Sequence, residues 1–198
     1  MKTKFTLSLL CVGTAATLGV APLTHADNKA TTHTEVSSEV NPDGSYKVSR
    51  HIETTDKAGT SIKTEATEDA TVDAEGNAHS RYDSTTTRDP KGLGNKSWSK
   101  TVTKSEVRRD GTFDKTTEVK QVTGAGTAQK TDIVSKRRID AKGNVKTEIN
   151  ERIKTDPQGL MNKTVEDTTK VTETKPTGET STRTIKKIDG ETVSSEVR

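Results

Sequence analysis

The sequence predicts an all-β fold, a tandem-repeat meander of antiparallel β-hairpins forming a largely single-layer or gently rolled sheet. Three observations carry this expectation. Glycines in turn-forming company recur at regular intervals, the stretches between them alternate with a period of two, and apolar residues are too few for a second layer. Glycines stand at 44, 59, 76, 92, 111, 126, 143, 159 and 178, with gaps of 15, 17, 16 and 19 residues that then repeat in the same order. Residues 37–103 therefore overlay residues 104–170 without an insertion, and 21 of the 67 positions are identical. The identities gather at the glycines, as in Asp73-Ala-Glu-Gly-Asn77 against Asp140-Ala-Lys-Gly-Asn144. Asp caps its own backbone, Pro presets φ, and Gly takes positive φ, so these segments read as turns.

Composition alone argues for something else. Of 198 residues, 26% are hydrophobic and 3% aromatic, against 31% charged. Leu, Ile, Val and Phe make up about 15% of residues 27–198, below the ~20% level at which disorder is the usual expectation. A substantially disordered, hydrophilic chain is thus the alternative fold, and the order of the residues is what opposes it.

Taken along the chain, residues 1–26 read as a signal peptide. Lys2 and Lys4 form a basic start, no charge follows from Leu7 to Leu23, and Thr24-His25-Ala26 ends on a small residue before Asp27. Such a segment is cleaved on export, here between Ala26 and Asp27, and it is too short and interrupted for a membrane span. Its removal takes two Lys and the only Cys, leaving 30 basic and 29 acidic side chains and no disulfide. Residues 27–36 are an N-terminal lead-in. Residues 37–103 form the first hairpin repeat unit, residues 104–170 the second, and residues 171–198 a truncated third.

Within the units, the segments between turns run to about 11 residues and are dense in Thr, Val and Ile, which favour strands and are stiff in helices. Tyr46, Val48, Arg50 and Ile52 fall on one face of a strand, as do Val145, Thr147, Ile149, Glu151 and Ile153. Nine turns imply about ten strands, joined as consecutive hairpins. Cross-strand Thr–Thr and Lys–Glu pairs, at about 0.2–1 kcal/mol each, are the expected support. An outer-membrane barrel is not expected, because it needs aromatic girdles and only Tyr46, Tyr82, Trp98 and Phe113 remain after residue 26. The run Asp73–Asn77, then Tyr82-Asp83, then Asp89-Pro-Lys-Gly92 resembles the hairpins of YD-repeat (Rhs-type) bacterial surface and toxin-shell proteins over about 20 residues. Ile149-Asn150 replaces Tyr-Asp in the second copy, so the resemblance implies shared turn chemistry.

The search for chemistry is brief. His33, His51 and His79 are widely spaced without Cys, so no metal site is expected, and the second copy has Glu118 and Lys146 in place of His51 and His79. The recurring Asp43, Asp73, Asp89, Asp110, Asp140 and Asp156 read as turn caps. No nucleophile motif or phosphate-cradling loop is present, so the expectation is a non-catalytic protein with no cofactor. The basic clusters Arg108-Arg109, Lys136-Arg137-Arg138 and Lys186-Lys187 are offset by acids, and nucleic acid is not the expected partner. Trp98 is expected in core or cross-strand packing, and Leu93 and Leu160 sit in the longest turns.

The expected function is an exported structural or binding element of the cell envelope or extracellular space, secreted or periplasmic. A disordered spacer or stress-protective polypeptide is the alternative. Candidate partners are a second copy and an envelope or extracellular polysaccharide. The first is suggested by the matching terminal segments Val36-Ser-Ser-Glu-Val40 and Val193-Ser-Ser-Glu-Val197.

Overall fold

A computed structural model describes residues 30–92, 95–159 and 162–198. Ala26 and Asp27 at the expected cleavage site, and Leu93 and Leu160 in the long turns, lie outside the described residues. The chain forms one open antiparallel sheet in which strand order follows chain order. The strands are β1 (Thr31–Val40), β2 (Tyr46–Thr55), β3 (Ser61–Val72), β4 (Ala78–Asp89), β5 (Ser97–Val107), β6 (Phe113–Val122), β7 (Ala128–Ile139), β8 (Val145–Asp156), β9 (Thr164–Thr174), β10 (Thr180–Ile188) and β11 (Glu191–Val197). The ladders between neighbours keep one register along each strand, with a single bulge at Lys186/Lys187 between β10 and β11. The all-β meander is as the sequence predicts, with eleven strands in place of about ten. The additional strand follows Asp189-Gly190, a two-residue hairpin turn with φ of 50° and 90°. Asp-Gly is a preferred pair for that tight turn, but Gly190 falls outside the 15-to-19-residue spacing.

Turn geometry explains the repeat. All nine glycines of the periodic series have positive φ. Seven connections share one pattern: the first turn residue donates its N–H to the carbonyl four residues on, and the glycine N–H returns to the first residue's carbonyl. In the first turn, Asn41 N reaches Ser45 O at 2.8 Å, and Gly44 N reaches Asn41 O at 3.0 Å. This is a type I turn closed by a left-handed residue, whose twist matches that of the strands it joins. The longer connections after β4 and β8 occupy equivalent places in the two units.

No second layer exists. Among the described residues no apolar side chain is buried, and the buried side chains are Ser45, Thr60 and Thr112, all in turns. Strand pairing nevertheless separates two chemistries. Directly opposed residues share a face, and the registers place Val36, Ile52, Tyr82, Phe113, Ile133 and Ile149 together on one side. The same side carries hydroxyl pairs, including Thr64–Thr86 at 3.0 Å, Ser80–Ser105 at 2.7 Å and Thr172–Thr182 at 3.1 Å. We call this the hydroxyl face. The opposite, charged face holds most of the Lys, Arg, Asp and Glu pairs, such as Lys63–Glu53 at 3.1 Å and Arg152–Asp167 at 3.3 Å.

A Gly44→Ala substitution tests the turn as the source of register. Gly44 has φ +85° with nothing within 4 Å of an added Cβ, so the substitution reports backbone strain alone. We expect a loss of about 1 kcal/mol, with Gly44→Asn recovering much of it because Asn visits the left-handed region. Denaturant midpoints measure both, and an unchanged midpoint for the alanine variant contradicts the assigned turn.

Candidate functional site

The turns between β1 and β2, β3 and β4, β5 and β6, and β7 and β8 lie at the same end of the sheet, because each follows an odd-numbered strand of a meander. Their carboxylates cap backbone, as the sequence indicates. Asp43 accepts from Ser45 N at 2.9 Å and Asp110 from Thr112 N at 2.8 Å. Asp73 and Asp140 each take the backbone N–H and the side-chain amide of an Asn four residues on, Asn77 and Asn144. Asp56 does the same for Thr60 N at the opposite end. Asp89 and Asp156 instead close strands β4 and β8, 3.6 Å from Lys96 and 3.1 Å from Lys163.

These bonds favour the ionised acid. Hydrogen bonds from His79 and then Asn77 hold Asp73 at a pKa of about 2. Asp43, Asp56, Asp110 and Asp140 are lowered by the same kind of bond from the turn residue each one caps. On the charged face, Lys120 and Lys130 hold Glu118 at about 2. Asp114 is lowered by Arg138 and Arg108, which it bonds at 2.6 and 2.8 Å.

The three histidines do not converge. His33 lies 2.9 Å from Glu35, His51 lies 3.8 Å from Glu65, and His79 lies 3.1 Å from Asp73. Among the described residues no group of three or more His, Cys, Asp and Glu is arranged to hold a metal ion. The basic clusters are divided by the strand alternation: Lys136 and Arg138 are on the charged face and Arg137 on the other. Lys186 pairs with Glu166 at 2.7 Å on the hydroxyl face. Trp98 stands opposite Thr87 and Val122 on the charged face and is 39% exposed. It therefore packs across strands and not in a core, since the sheet has none.

Two surface furrows are present, and their lining comes mostly from the charged face. The larger, about 640 Å³, crosses β1 to β5 past Glu35, His51, Glu65, Thr85 and Lys100. The smaller crosses β7 to β10 past Asp132, Arg152, Asp167 and Lys187. Both are open channels over a flat sheet. Neither was evident from the sequence, since each depends on which residues of successive strands stand opposite one another.

Among the described residues nothing pairs with the outer edges of β1 and β11. Val36 and Val40 of β1 are 61% and 73% exposed, and Val193 and Val197 of β11 are 54% and 71% exposed. The two Val-Ser-Ser-Glu-Val segments differ in one respect. Val36 opposes Arg50 on the hydroxyl face, whereas Val197 opposes Arg183 on the charged face. Among the described residues no helix is long and apolar enough to cross a membrane. No protein-family model, curated protein or solved structure matches this chain.

The capped carboxylates predict an acid transition. Their folded pKa values lie below the ordinary value, so in acid the unfolded chain binds more protons than the folded one. Stability is full above the ordinary carboxylate range and is lost as pH falls from 3.8 toward about 2. Thermal melts at stepped pH should show this decline, and Asp73→Asn should flatten it. A melting temperature that stays constant through this range contradicts the capping assignment.

Proposed function

We propose that this chain is an exported, non-catalytic β-repeat element of the cell envelope or extracellular space, secreted or periplasmic. It works as a thin platform that presents surfaces to partners. The observation that carries the reading is the division of one single-layer sheet into two chemically distinct faces. Most ion pairs lie on one, Thr and Ser pairs on the other, and none of the described residues forms a layer over either. Function in such a plate belongs to faces and edges, because the sheet encloses no interior in which substrate could be desolvated. The basic start, charge-free run and small residue before Asp27 support export.

The open edges support self-association as part of this role. An unpaired strand exposes N–H and C=O groups that a second copy can pair with. Because β1 and β11 run the same way, like edges meet antiparallel about a two-fold axis, β1 with β1 or β11 with β11. Pairing through β1 also brings Val36 and Val40 of both copies onto one continuous hydroxyl face.

Fractionation of the producing cells tests the export reading: the protein should be found outside the cytoplasm with an N-terminus at Asp27. A cytoplasmic product retaining residues 1–26 overturns it. Sedimentation over a concentration series tests the edges. Apparent mass should rise with concentration, and Val36→Lys with Val193→Lys should abolish the rise. A mass independent of concentration removes self-association.

A further inference from the structure

We infer that the charged face of β5–β8 is a binding site for a linear anionic polysaccharide, built on a row of four lysines beside Trp98. This deepens the reading above and rests on it. The registers set Lys100 opposite Lys120, Lys120 opposite Lys130, and Lys130 opposite Lys154. Four consecutive strands therefore present a lysine on one line perpendicular to the strands, about 4.8 Å apart.

Like charges directly opposite one another destabilise a sheet. Glu118 and Asp132 offset the two middle lysines, and no ion pair among the described residues calls for Lys100 and Lys154 at the ends. One 67-residue period earlier, His33 of the lead-in and Glu53, Lys63 and Thr87 of the first unit stand at the equivalent positions of β1–β4. There, Glu53 and Lys63 form an ion pair at 3.1 Å. The same backbone is thus built with a favourable pair where Lys100, near the end of the first unit, and Lys120, Lys130 and Lys154 of the second stack four cations. The units as wholes have diverged in the same sense. Residues 37–103 hold 9 basic and 11 acidic side chains, and residues 104–170 hold 15 and 11. A local rule broken in one copy and kept in the other marks a functional position.

The surroundings fit a sugar chain. Lys120 and Lys130 are fixed at 2.9 Å from Glu118, and Lys130 also at 2.9 Å from Asp132. Lys100 and Lys154, at the two ends, have no ion-pair partner among the described residues. Trp98 lies two residues before Lys100 on the same face, about 7 Å along the strand. Val122 stands directly across from it. An exposed indole beside an apolar neighbour is a stacking surface for the apolar face of a pyranose ring. One such ring is about as long as one strand spacing, so successive uronate carboxylates meet successive lysines. Beyond Lys100 the same line runs through Thr85, Glu65, His51 and Glu35 along the larger furrow, so the cationic stretch ends at Lys100.

The test uses hexagalacturonate as the probe, with a neutral dextran oligomer and a duplex DNA of similar charge beside it. Binding is read by calorimetry and by fluorescence of Trp98, the sole tryptophan of the chain. Two variants install the residues that stand one period earlier on β1–β4, which the fold already accommodates: K100H/K120E/K154T, and Trp98→Thr. Far-ultraviolet circular dichroism and elution volume of both should match the parent. Saturable binding of hexagalacturonate, weakened by added salt and absent with dextran, is the expected result. The triple variant should bind roughly tenfold more weakly or worse, and Trp98→Thr should also lose affinity. No saturable binding overturns the proposal, as does a folded triple variant that binds like the parent. Duplex DNA bound as tightly, with the same losses, also overturns it by showing a response to charge alone. Each of these failures, in a chain still folded and exported, leaves the platform reading intact.

Discussion

Among the described residues, every strand is held by the strands next to it in the chain and by nothing else. A typical domain buries an apolar face against a second layer, and here the second layer is missing. Backbone ladders and turns must then carry the load that a core usually carries. That is why the buried side chains, Ser45, Thr60 and Thr112, belong to turns and are tied to turn carboxylates. It also makes the molecule quasi-one-dimensional, with stability approximating a sum of neighbouring contributions as in other repeat architectures. A defect in one hairpin is felt by its neighbours and fades along the sheet.

Register matters more in such a sheet than in a sandwich. A slip of one residue exchanges the two faces, and no opposing layer corrects it. The five-residue turns prevent the slip by fixing which residues oppose each other on either side of each glycine. Thr then serves both needs of the hydroxyl face. Its β-branch favours the extended backbone, and its hydroxyl finds a partner on the neighbouring strand, as Thr103 does with Thr117 at 3.1 Å. On the charged face, paired side chains keep the surface wet and discourage stacking of one plate on another.

How much of this is legible in the sequence depends on the range of each interaction. Turns are local, so the spacing of nine glycines specifies hairpins and repeat units, while the scarcity of apolar residues specifies the single layer. The turn at Asp189-Gly190 escapes that reading because it is two residues long and departs from the period. Alternation within a strand is also local, and Tyr46, Val48 and Ile52 share a face as their spacing requires. Relations between strands are a different matter. That Lys100, Lys120, Lys130 and Lys154 form one row is invisible in a linear chain, where they lie 20, 10 and 24 residues apart. It follows from the summed lengths of strands and turns. Trp98 shows the same gap: its isolation in the sequence suggests packing, and only the register places it on the charged face beside that row.

The duplication separates what the fold requires from what it permits. On the hydroxyl face, four apolar positions keep their class, Val40 and Val107, Tyr46 and Phe113, Ile52 and Val119, Val72 and Ile139, while Val48 and Ile62 become Lys115 and Gln129. Sign reversals at strand positions fall on the other face. Lys47 becomes Asp114, Glu53 becomes Lys120, Asp69 becomes Lys136, and Arg81 becomes Glu148. Exposed ion pairs contribute little to stability, so exchanging their signs costs the sheet little. A face with so small a structural role can change its charge while the backbone beneath it stays the same. Two copies of one plate can therefore carry different surfaces side by side, and the second is the more basic of the two, with 15 basic side chains against 9.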